Sequence, residues 1–243
     1  MDVIYSDKGL IDKIVALANS MDAHGRWLDM PSGGGVLARR LTTSGREVIE
    51  ADRDPAGDLA DRKILRLDMN KNLPFANHSF DGVACIEGIE HIENSFLLLR
   101  EIRRILKPGG TLILSTPNVL KLGSRMHFLL TGFPHYLIRP NREAQGERDP
   151  FPHIHMLPYH ELRYALHTQG MRIRAIATNR LRFNDVLMLP LWPVAAFFTW
   201  RRLRREQKPD QLRRNRNVLR DVLSWKMLFG NILIMVIERV DES

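Results

Sequence analysis

The sequence predicts an α/β fold, a doubly wound domain built around a mostly parallel β-sheet. Short apolar runs alternate with helical segments over residues 6–115, which is the pattern of right-handed βαβ units. A glycine-rich turn, PSGGG at 31–35, follows the first run and precedes a helical segment. Acidic residues close the first three runs, at Asp29, Asp52 and Asp68. Because ligands bind at the carboxyl ends of parallel strands, these residues mark the candidate binding edge of the sheet.

The helices are predicted from apolar residues that recur every three or four positions. In one example, the amphipathic segment 94–106 is followed at once by KPGG at 107–110, a standard helix stop. Gly170 ends a later helix in the same way. The predicted helices are 6–20, the stretch through Leu37 and Leu41, 94–106 and 158–169.

The strands are predicted from short apolar runs between the helices. The predicted strands are 26–30, 47–51, 63–67, 80–86, 111–115, 171–178 and 231–239. The single cysteine, Cys85, lies inside the run FDGVACI, so we expect a buried and inert thiol. A chain with one cysteine forms no internal disulfide and fits the reducing cytoplasm.

Two segments interrupt the alternation of helix and strand. Residues 117–157 are rich in Pro, Gly, His and Arg and have little periodicity, so we expect a loop or lid. Residues 181–229 form an insert that is first hydrophobic and then basic. With 243 residues, 44% of them hydrophobic and 26% charged, the chain fits one globular domain, 1–243, on which both inserts form a cap.

The N-terminus and the hydropathy pattern argue against export and against membrane spanning. The first residues carry Asp2, Asp7 and Asp12 and lack the basic start of a secretory signal. No run of about 18 uncharged apolar residues occurs, so no segment is predicted to cross a membrane as a simple helix. A cytoplasmic location is therefore expected.

The glycine-rich turn is a candidate ligand-binding loop. Glycine lets the backbone approach a ligand closely, and the following helix offers N–H groups at its N-terminus. Taken alone, such a turn fits a nucleotide phosphate or an ordinary tight turn equally well. A dinucleotide-dependent oxidoreductase is disfavoured, because the turn lacks the GxGxxG pattern.

The acids at the strand ends narrow the choice of ligand. Asp52 ends the second strand 17 residues after Gly35, where a carboxylate can accept both hydroxyls of a ribose. Asp68 ends the third strand, where it can meet an adenine amino group while Met69 packs on the ring face. Each acid alone is more often a solvated strand end. Together with the turn, they indicate a binding site.

Four sequence motifs of the first half belong together. They are LDMPSGGG, EADRDP, LPFANHSFDGVACIEGIEHI and LLLREIRRILKPGGTLILSTPN. They resemble the motifs of class I S-adenosylmethionine (SAM)-dependent methyltransferases, in the small-molecule branch that includes ubiquinone-pathway enzymes. The resemblance is close over residues 26–118 and weaker in HIHMLPYHELRYALHTQGM and in the last strand. It implies a seven-stranded sheet whose last strand is antiparallel.

One position departs from the family pattern. Pro31 stands where LDxGxGxG has its first glycine, and proline removes an N–H and fixes φ. Because Gly33 and Gly35 remain, we expect the turn to form.

The resemblance implies SAM as the cofactor and assigns roles by position. The turn 29–35 would border the methionine part of SAM, Asp52 would bind the ribose and Asp68 the adenine. Glu87, at the end of the fourth strand, would line the mouth near the transferred methyl group. The cofactor-binding residues implied are Asp29, Met30, Pro31, Gly33, Gly35, Asp52, Arg53, Asp68, Met69 and Glu87.

Histidines are the candidate catalytic residues. His91 follows Glu90 at a helix start, where it serves either as a general base or as a structural partner of the turn. His155 is the second candidate, since His153, His155 and His160 lie in the segment that would face the acceptor. Such a cluster also suggests a metal site, but no acidic or cysteine partner lies nearby in the sequence. Acceptor contacts therefore rank first, structural roles second and a metal last, so no metal is expected.

The second insert carries most of the net charge of +8. Residues 187–200 hold 14 uncharged residues, and between 201 and 220 nine Lys or Arg residues stand against two acidic ones. This order fits an interfacial segment that contacts an anionic membrane surface through 187–220. A helix pair packed on the sheet with solvated arginines is equally open. An RNA-binding face is less favoured, because the aromatic residues precede the basic ones as a block.

The expected function is methyl transfer from SAM to a small-molecule acceptor, or to a lipid- or glycan-linked one. The protein would align the acceptor for in-line displacement and exclude water. Two alternatives stay open: RNA methylation through the basic insert, and a non-catalytic SAM-binding protein that docks through it. A cytoplasmic protein, or one bound peripherally at the inner face of a membrane, is expected.

Overall fold

The computed structural model describes residues 8–21, 24–54, 63–133, 135, 153–181, 187–206 and 208–240. Its strands are β1 (Arg26–Asp29), β2 (Glu47–Asp52), β3 (Ile64–Arg66), β4 (Phe80–Ile86), β5 (Leu106–Pro117), β6 (Met171–Ala177) and β7 (Ile232–Arg239). They form one seven-stranded sheet in the order β3-β2-β1-β4-β5-β7-β6. β7 is antiparallel to β5 and β6, whereas the other neighbours are parallel. The predicted seven-stranded, mostly parallel sheet with an antiparallel last strand is confirmed.

Helices flank this sheet throughout the described part of the chain. The α-helices are α1 (Lys8–Asn19), α2 (Val36–Thr43), α3 (Ser95–Ile105), α4 (Leu122–Thr131), α5 (Tyr159–His167), α6 (Trp192–Arg204), α7 (Pro209–Val222) and α8 (Trp225–Phe229). Two short 3-10 turns lie at Ile89–His91 and Leu189–Leu191. All four predicted helices are present, with their ends shifted by a few residues.

The core lies on both faces of the sheet, as a doubly wound fold requires. Alternate residues of a strand point to opposite faces, and β5 shows this clearly. Ile113 is buried in the same cluster as Leu10 of α1. Its neighbours Leu112 and Leu114 are buried in the other cluster, together with residues of α3 and α5. The central strands are therefore apolar on both sides, which explains their nearly continuous hydrophobic runs.

Cys85 occupies an inner position of β4. Its thiol is buried, and that burial raises its pKa. The predicted burial of Cys85 is confirmed, and a protonated thiol without access to solvent is expected to be unreactive.

Strand β5 begins earlier than the sequence predicted. Leu106 follows α3 directly and pairs with Phe80 of β4. The KPGG segment at 107–110 belongs to the strand as an irregular stretch, and the regular register resumes at Thr111. The helix stop was correctly placed, since α3 ends at Ile105. The strand start at 111 was wrong, because periodicity along one chain does not reveal pairing with a distant residue.

Part of the segment 117–157, which was expected to be a loop or lid, is helical. α4 contains ten residues and ends where Gly132 adopts a φ of 74° and donates its N–H to the carbonyl of Phe128. Most of the apolar side chains of its second half face solvent, so the sequence shows no amphipathic pattern there. The loop expectation was wrong for this helix. The part of the lid prediction at 136–152 lies outside the described residues.

The second insert is helical in its described part and is attached to the carboxyl end of β5. The side-chain amide of Asn118 donates hydrogen bonds to the carbonyls of Met227 (2.7 Å) and Gly230 (2.9 Å), which lie in and after α8. The hydroxyl of Tyr159 in α5 donates to a carboxylate oxygen of Asp221 in α7 at 2.6 Å. Among the described residues, no helix combines the length and the apolar character that crossing a membrane requires.

Candidate active site

The glycine-rich turn connects β1 to α2 and is held by the strands on either side of β1. The N–H of Met30 donates to the carbonyl of Ala84 in β4 at 3.0 Å. The N–H of Ser32 donates to the carbonyl of Ala51 in β2, also at 3.0 Å. The sheet therefore fixes where the turn lies, at the carboxyl end of β1.

Two glycines give the turn its shape. Gly33 and Gly35 adopt φ angles of 49° and 71°, a region in which glycine meets no steric penalty. Gly35 immediately precedes α2. The Met30–Pro31 peptide is cis. The turn forms with Pro31 in place of a glycine, as the sequence led us to expect.

Asp52 joins the turn to the end of β2. The N–H of Gly33 donates to Oδ2 of Asp52 at 2.9 Å, and the N–H of Asp54 donates to Oδ1 at 3.1 Å. The Asp52 side chain is nearly buried. Both carboxylate oxygens keep further lone pairs, so a ligand can be bound by the same group that fixes the loop.

Asp68 and Met69 lie beside Asp52 at the end of β3. The N–H of Leu67 donates to the carbonyl of Asp52 at 2.9 Å, which brings the two strand ends together. Oδ1 of Asp68 accepts the N–H of Asn70 at 3.0 Å. These bonds place Asp52 and Asp68, the residues predicted to bind ribose and adenine, at the ends of neighbouring strands.

Gly88, after β4, packs against both the glycine-rich turn and Met69. A Cβ added to Gly88 would lie 2.4 Å from Cδ of Pro31 and 3.3 Å from Cε of Met69. Only glycine allows this close approach of three segments. Gly88 was not among the predicted site residues, although a glycine directly after a buried strand and beside Glu87 was a usable signal.

Three other predicted cofactor residues occupy different environments. Asp29 is buried at the end of β1. Glu87 follows β4, has a φ of 51° and donates its N–H to the carbonyl oxygen of Ser115 in β5 at 3.2 Å. Arg53 directs its guanidinium to the carboxylate of Asp54 at 2.8 Å on the exposed surface. Glu87 is therefore tied to β5, and Arg53 is paired at the surface.

The 3-10 turn after β4 meets the histidine-rich segment. The N–H groups of Ile154 and His155 both donate to the carbonyl of Glu90 at 3.0 Å. The rings of His91 and His153 are 4.9 Å apart. Glu90, His91 and His153 each offer an atom that could bind a metal ion, and these atoms lie within 4.8 Å of one another. Glu90 is thus an acidic partner for the histidine-rich segment. It was not predicted, because it lies far from His153 along the chain although the two are close in space.

The structure separates the three histidines of the segment 153–160. His153 lies beside His91. Nδ1 of His155 lies 3.1 Å from the hydroxyl of Ser95 at the start of α3. His160 is exposed on α5. The two predicted catalytic residues, His91 and His155, are linked through Glu90, which precedes His91 and whose carbonyl accepts the N–H of His155. The ring in contact with His91 is that of His153.

Glu90 has an unusual environment for a carboxyl group. It is 0% exposed, and burial together with the charge of Glu87 raises the pKa of Glu90 to about 8, against smaller lowering effects of a backbone amide and the Thr116 hydroxyl. A buried carboxyl that titrates near neutrality is typical of functional sites. Glu90 was not among the predicted site residues.

Comparison with known proteins gives one family match. Residues 5–176 match the family described as "Methyltransferase domain". The ubiquinone biosynthesis O-methyltransferase of Cereibacter sphaeroides is 36% identical over 102 residues, which are 38% of this chain and 41% of that protein. The protein of the same name from Xanthomonas campestris pv. campestris is 33% identical over 107 residues, or 38% and 43% of the two chains. The chain thus spans about two fifths of the length of these curated relatives.

Solved structures share the fold at low sequence identity. A SAM-dependent methyltransferase from Archaeoglobus fulgidus superimposes with a TM-score of 0.58 at 16% identity, covering 94% of this chain and 92% of that one. An S-adenosylmethionine-dependent methyltransferase from Mesorhizobium loti has a TM-score of 0.55 at 18% identity, covering 94% and 100%. The resemblance to class I SAM-dependent methyltransferases is confirmed, and with it the expected cofactor.

Proposed function

Because the chain belongs to the family of methyltransferase domains, we propose that it transfers a methyl group from SAM to a small-molecule acceptor at the carboxyl edge of its sheet. The observation that carries the proposal is the convergence of three segments: the turn at Pro31, the strand end at Met69 and Gly88 after β4. RNA methylation and cofactor binding without catalysis are not favoured by any of the comparisons.

The residues at this edge suit the parts of SAM. Asp52 offers lone pairs to the ribose hydroxyls while Gly33 holds one of its oxygens in place. Asp68 accepts the adenine amino group, and Met69 lies against the ring face. Gly33 and Gly35 let the backbone approach the methionine part closely, because neither carries a side chain.

SAM held by these residues would supply a methyl group that is activated by its bond to a positively charged sulfur. The protein aligns the acceptor in line and excludes water. We assign the acceptor proton to His91, whose ring is oriented by contact with His153. Glu87 lines the mouth of the site, and His155, bonded to Ser95, holds the acceptor side.

The acceptor is proposed to be lipid-linked. Residues 187–220 place uncharged aromatic and apolar residues directly before a run of arginines. This order suits contact with an anionic membrane surface, where a lipid-linked acceptor is found. The following helix, α8, is tied to the carboxyl end of β5, next to the site, by hydrogen bonds from Asn118 to Met227 and Gly230.

A thermal-shift panel tests the proposed cofactor specificity. The purified chain is heated with SAM, S-adenosylhomocysteine, NAD or ATP, each in excess. Because a ligand that binds only the folded state raises the unfolding temperature, the first two compounds are expected to raise Tm and the other two to leave it unchanged. Stabilisation by NAD or ATP, with none by SAM, would contradict the proposal.

A further inference from the structure

The second half of α4 and the turn that follows it expose large apolar side chains. Leu129 and Leu130 are each 75% exposed, and Phe128 and Phe133 are exposed as well. Single apolar residues on a surface are ordinary, but a contiguous group of them marks a site of interaction. Four such residues within six positions form a group that no described part of the chain covers.

α6 and the turn before it expose a second apolar group. Leu187, Val194, Phe197 and Phe198 are exposed, Phe198 by 62%. The ring of Phe197 lies 5.4 Å from that of Phe198 and 6.3 Å from that of Trp200. The aromatic side chains of α6 therefore form a continuous apolar cluster at the surface.

A small buried cluster connects the two helices. Leu122 at the start of α4 packs with Leu228 and Phe229 of α8. Met188 and Ala195, before and within α6, pack against the same cluster. The two helices that carry the exposed apolar groups, α4 and α6, therefore pack against the same small buried cluster.

Exposed arginines follow the apolar group of α6. They are Arg201, Arg202, Arg204 and Arg205. The guanidinium of Arg204 lies 4.8 Å from the ring centre of Trp200. Tryptophan prefers the headgroup region of a bilayer, and arginine binds its anionic phosphates. An anionic lipid surface suits both the apolar side chains and the arginines, because it has apolar acyl chains directly beneath negatively charged headgroups.

We infer that α4 and α6 together form a docking surface for an anionic lipid bilayer, with the exposed end of α4 as its second apolar anchor. The surface adjoins the site, since α4 begins five residues after β5 ends at Pro117 on the carboxyl edge. Docking holds the acceptor side of the site close to the bilayer. This role of docking in presenting the acceptor rests on the proposed function.

Vesicle co-sedimentation of the full chain tests the surface. Wild type is compared with L129S/L130S and with Y164S, using phosphatidylcholine vesicles with and without phosphatidylglycerol. The two leucines are largely exposed, so their replacement leaves the core intact, and Tyr164 is a matched control at 65% exposure on a different helix, α5. Thermal unfolding of each variant checks its folding.

Wild type and Y164S are expected to bind the anionic vesicles equally and the neutral ones weakly. L129S/L130S is expected to lose about tenfold or more in affinity, because two apolar side chains no longer enter the acyl region. Equal binding by L129S/L130S and wild type, or no binding by wild type, would overturn the inference. A dimer in solution that L129S/L130S disrupts, without vesicle binding, would overturn it in favour of a second copy of the chain.

The vesicle assay contains no SAM, so it is independent of the proposed function. Stabilisation by SAM is measured on the same preparations. Vesicle binding without a response to SAM would refute the proposed methyl transfer from SAM and leave the docking surface standing. The reverse result would refute the docking surface, together with the lipid-linked acceptor that was argued from it, and leave the proposed methyl transfer standing.

Discussion

The backbone N–H of Gly33 donates a hydrogen bond to Oδ2 of Asp52 over 2.9 Å. This bond joins the glycine-rich turn after β1 to the end of β2, the two features of the sequence that first indicated a binding site. A side chain proposed to bind the ribose therefore also shapes the loop beside it. Changes at Asp52 are expected to affect stability as well as ligand binding.

Asp52→Ala is expected to lower the free energy of unfolding by about 1–3 kcal/mol, because a nearly buried carboxylate that accepts two backbone N–H bonds is lost. Urea denaturation measures the change. Asp54→Ala, which removes a half-exposed carboxylate paired with Arg53, serves as the control and is expected to change stability by less than about 1 kcal/mol. Equal effects of the two substitutions would show that the Gly33–Asp52 bond contributes little.

Gly88→Ala is expected to destabilise the fold by about 1–3 kcal/mol and to weaken SAM binding, because the new Cβ meets Pro31 at 2.4 Å. A double-mutant cycle with Pro31→Gly isolates the contact. Removing the proline ring gives the Cβ room, so Gly88→Ala should cost less in the Pro31→Gly background. An identical cost in both backgrounds would mean that Gly88 acts through its backbone and not through this approach.

Glu90→Gln is expected to change the pH dependence of stability. The pKa of Glu90 is about 8 in the folded protein against an ordinary value of 4.5, so between these values the folded state holds a proton that the unfolded chain has released. Its contribution to stability therefore falls as pH rises through this window and is constant above about 8. Glutamine does not titrate, so the variant should gain stability relative to wild type as pH rises.

Urea denaturation of wild type and Glu90→Gln at pH values across that window measures this difference. Glu93→Gln, at an exposed glutamate of the same loop, is the control and should follow wild type. A stability difference between Glu90→Gln and wild type that is independent of pH would contradict the raised pKa of Glu90.

Tyr159→Phe is expected to lower the free energy of unfolding by about 1–3 kcal/mol, because it leaves the carboxylate of Asp221 without its 2.6 Å hydrogen bond from the hydroxyl. Burial and Asp221 raise the pKa of Tyr159, so the hydroxyl stays protonated as the donor. Tyr164→Phe, at an exposed tyrosine of the same helix, should have almost no effect on the urea midpoint. If α7 were not joined to the domain through this bond, both variants would unfold like wild type.

The sheet and its carboxyl edge were predictable because they depend on local signals. Buried strands need apolar runs, and Asp52 and Asp68 stand where such runs end, so their convergence follows from parallel pairing alone. The start of β5 at Leu106 was not predictable, since it depends on pairing with Phe80 across the sheet.

The candidate site was predicted less completely than the fold. α4 was missed because Leu129 and Leu130 face solvent, and exposed apolar residues break the amphipathic pattern from which helices are inferred. The contact between His91 and His153 joins segments far apart in the chain. Sequence spacing carries no information about that distance, so the acidic partner in Glu90 was overlooked.

Calorimetric titration with SAM tests the central claim, that the carboxyl edge around Asp52 binds this cofactor. Wild type and Asp54→Asn are expected to bind SAM alike. Asp52→Asn is expected to bind it about tenfold to a hundredfold more weakly, because hydrogen bonds to a charged carboxylate are lost while the side-chain shape is kept. Absence of SAM binding by the folded wild type, or equal affinity in Asp52→Asn, would contradict the claim.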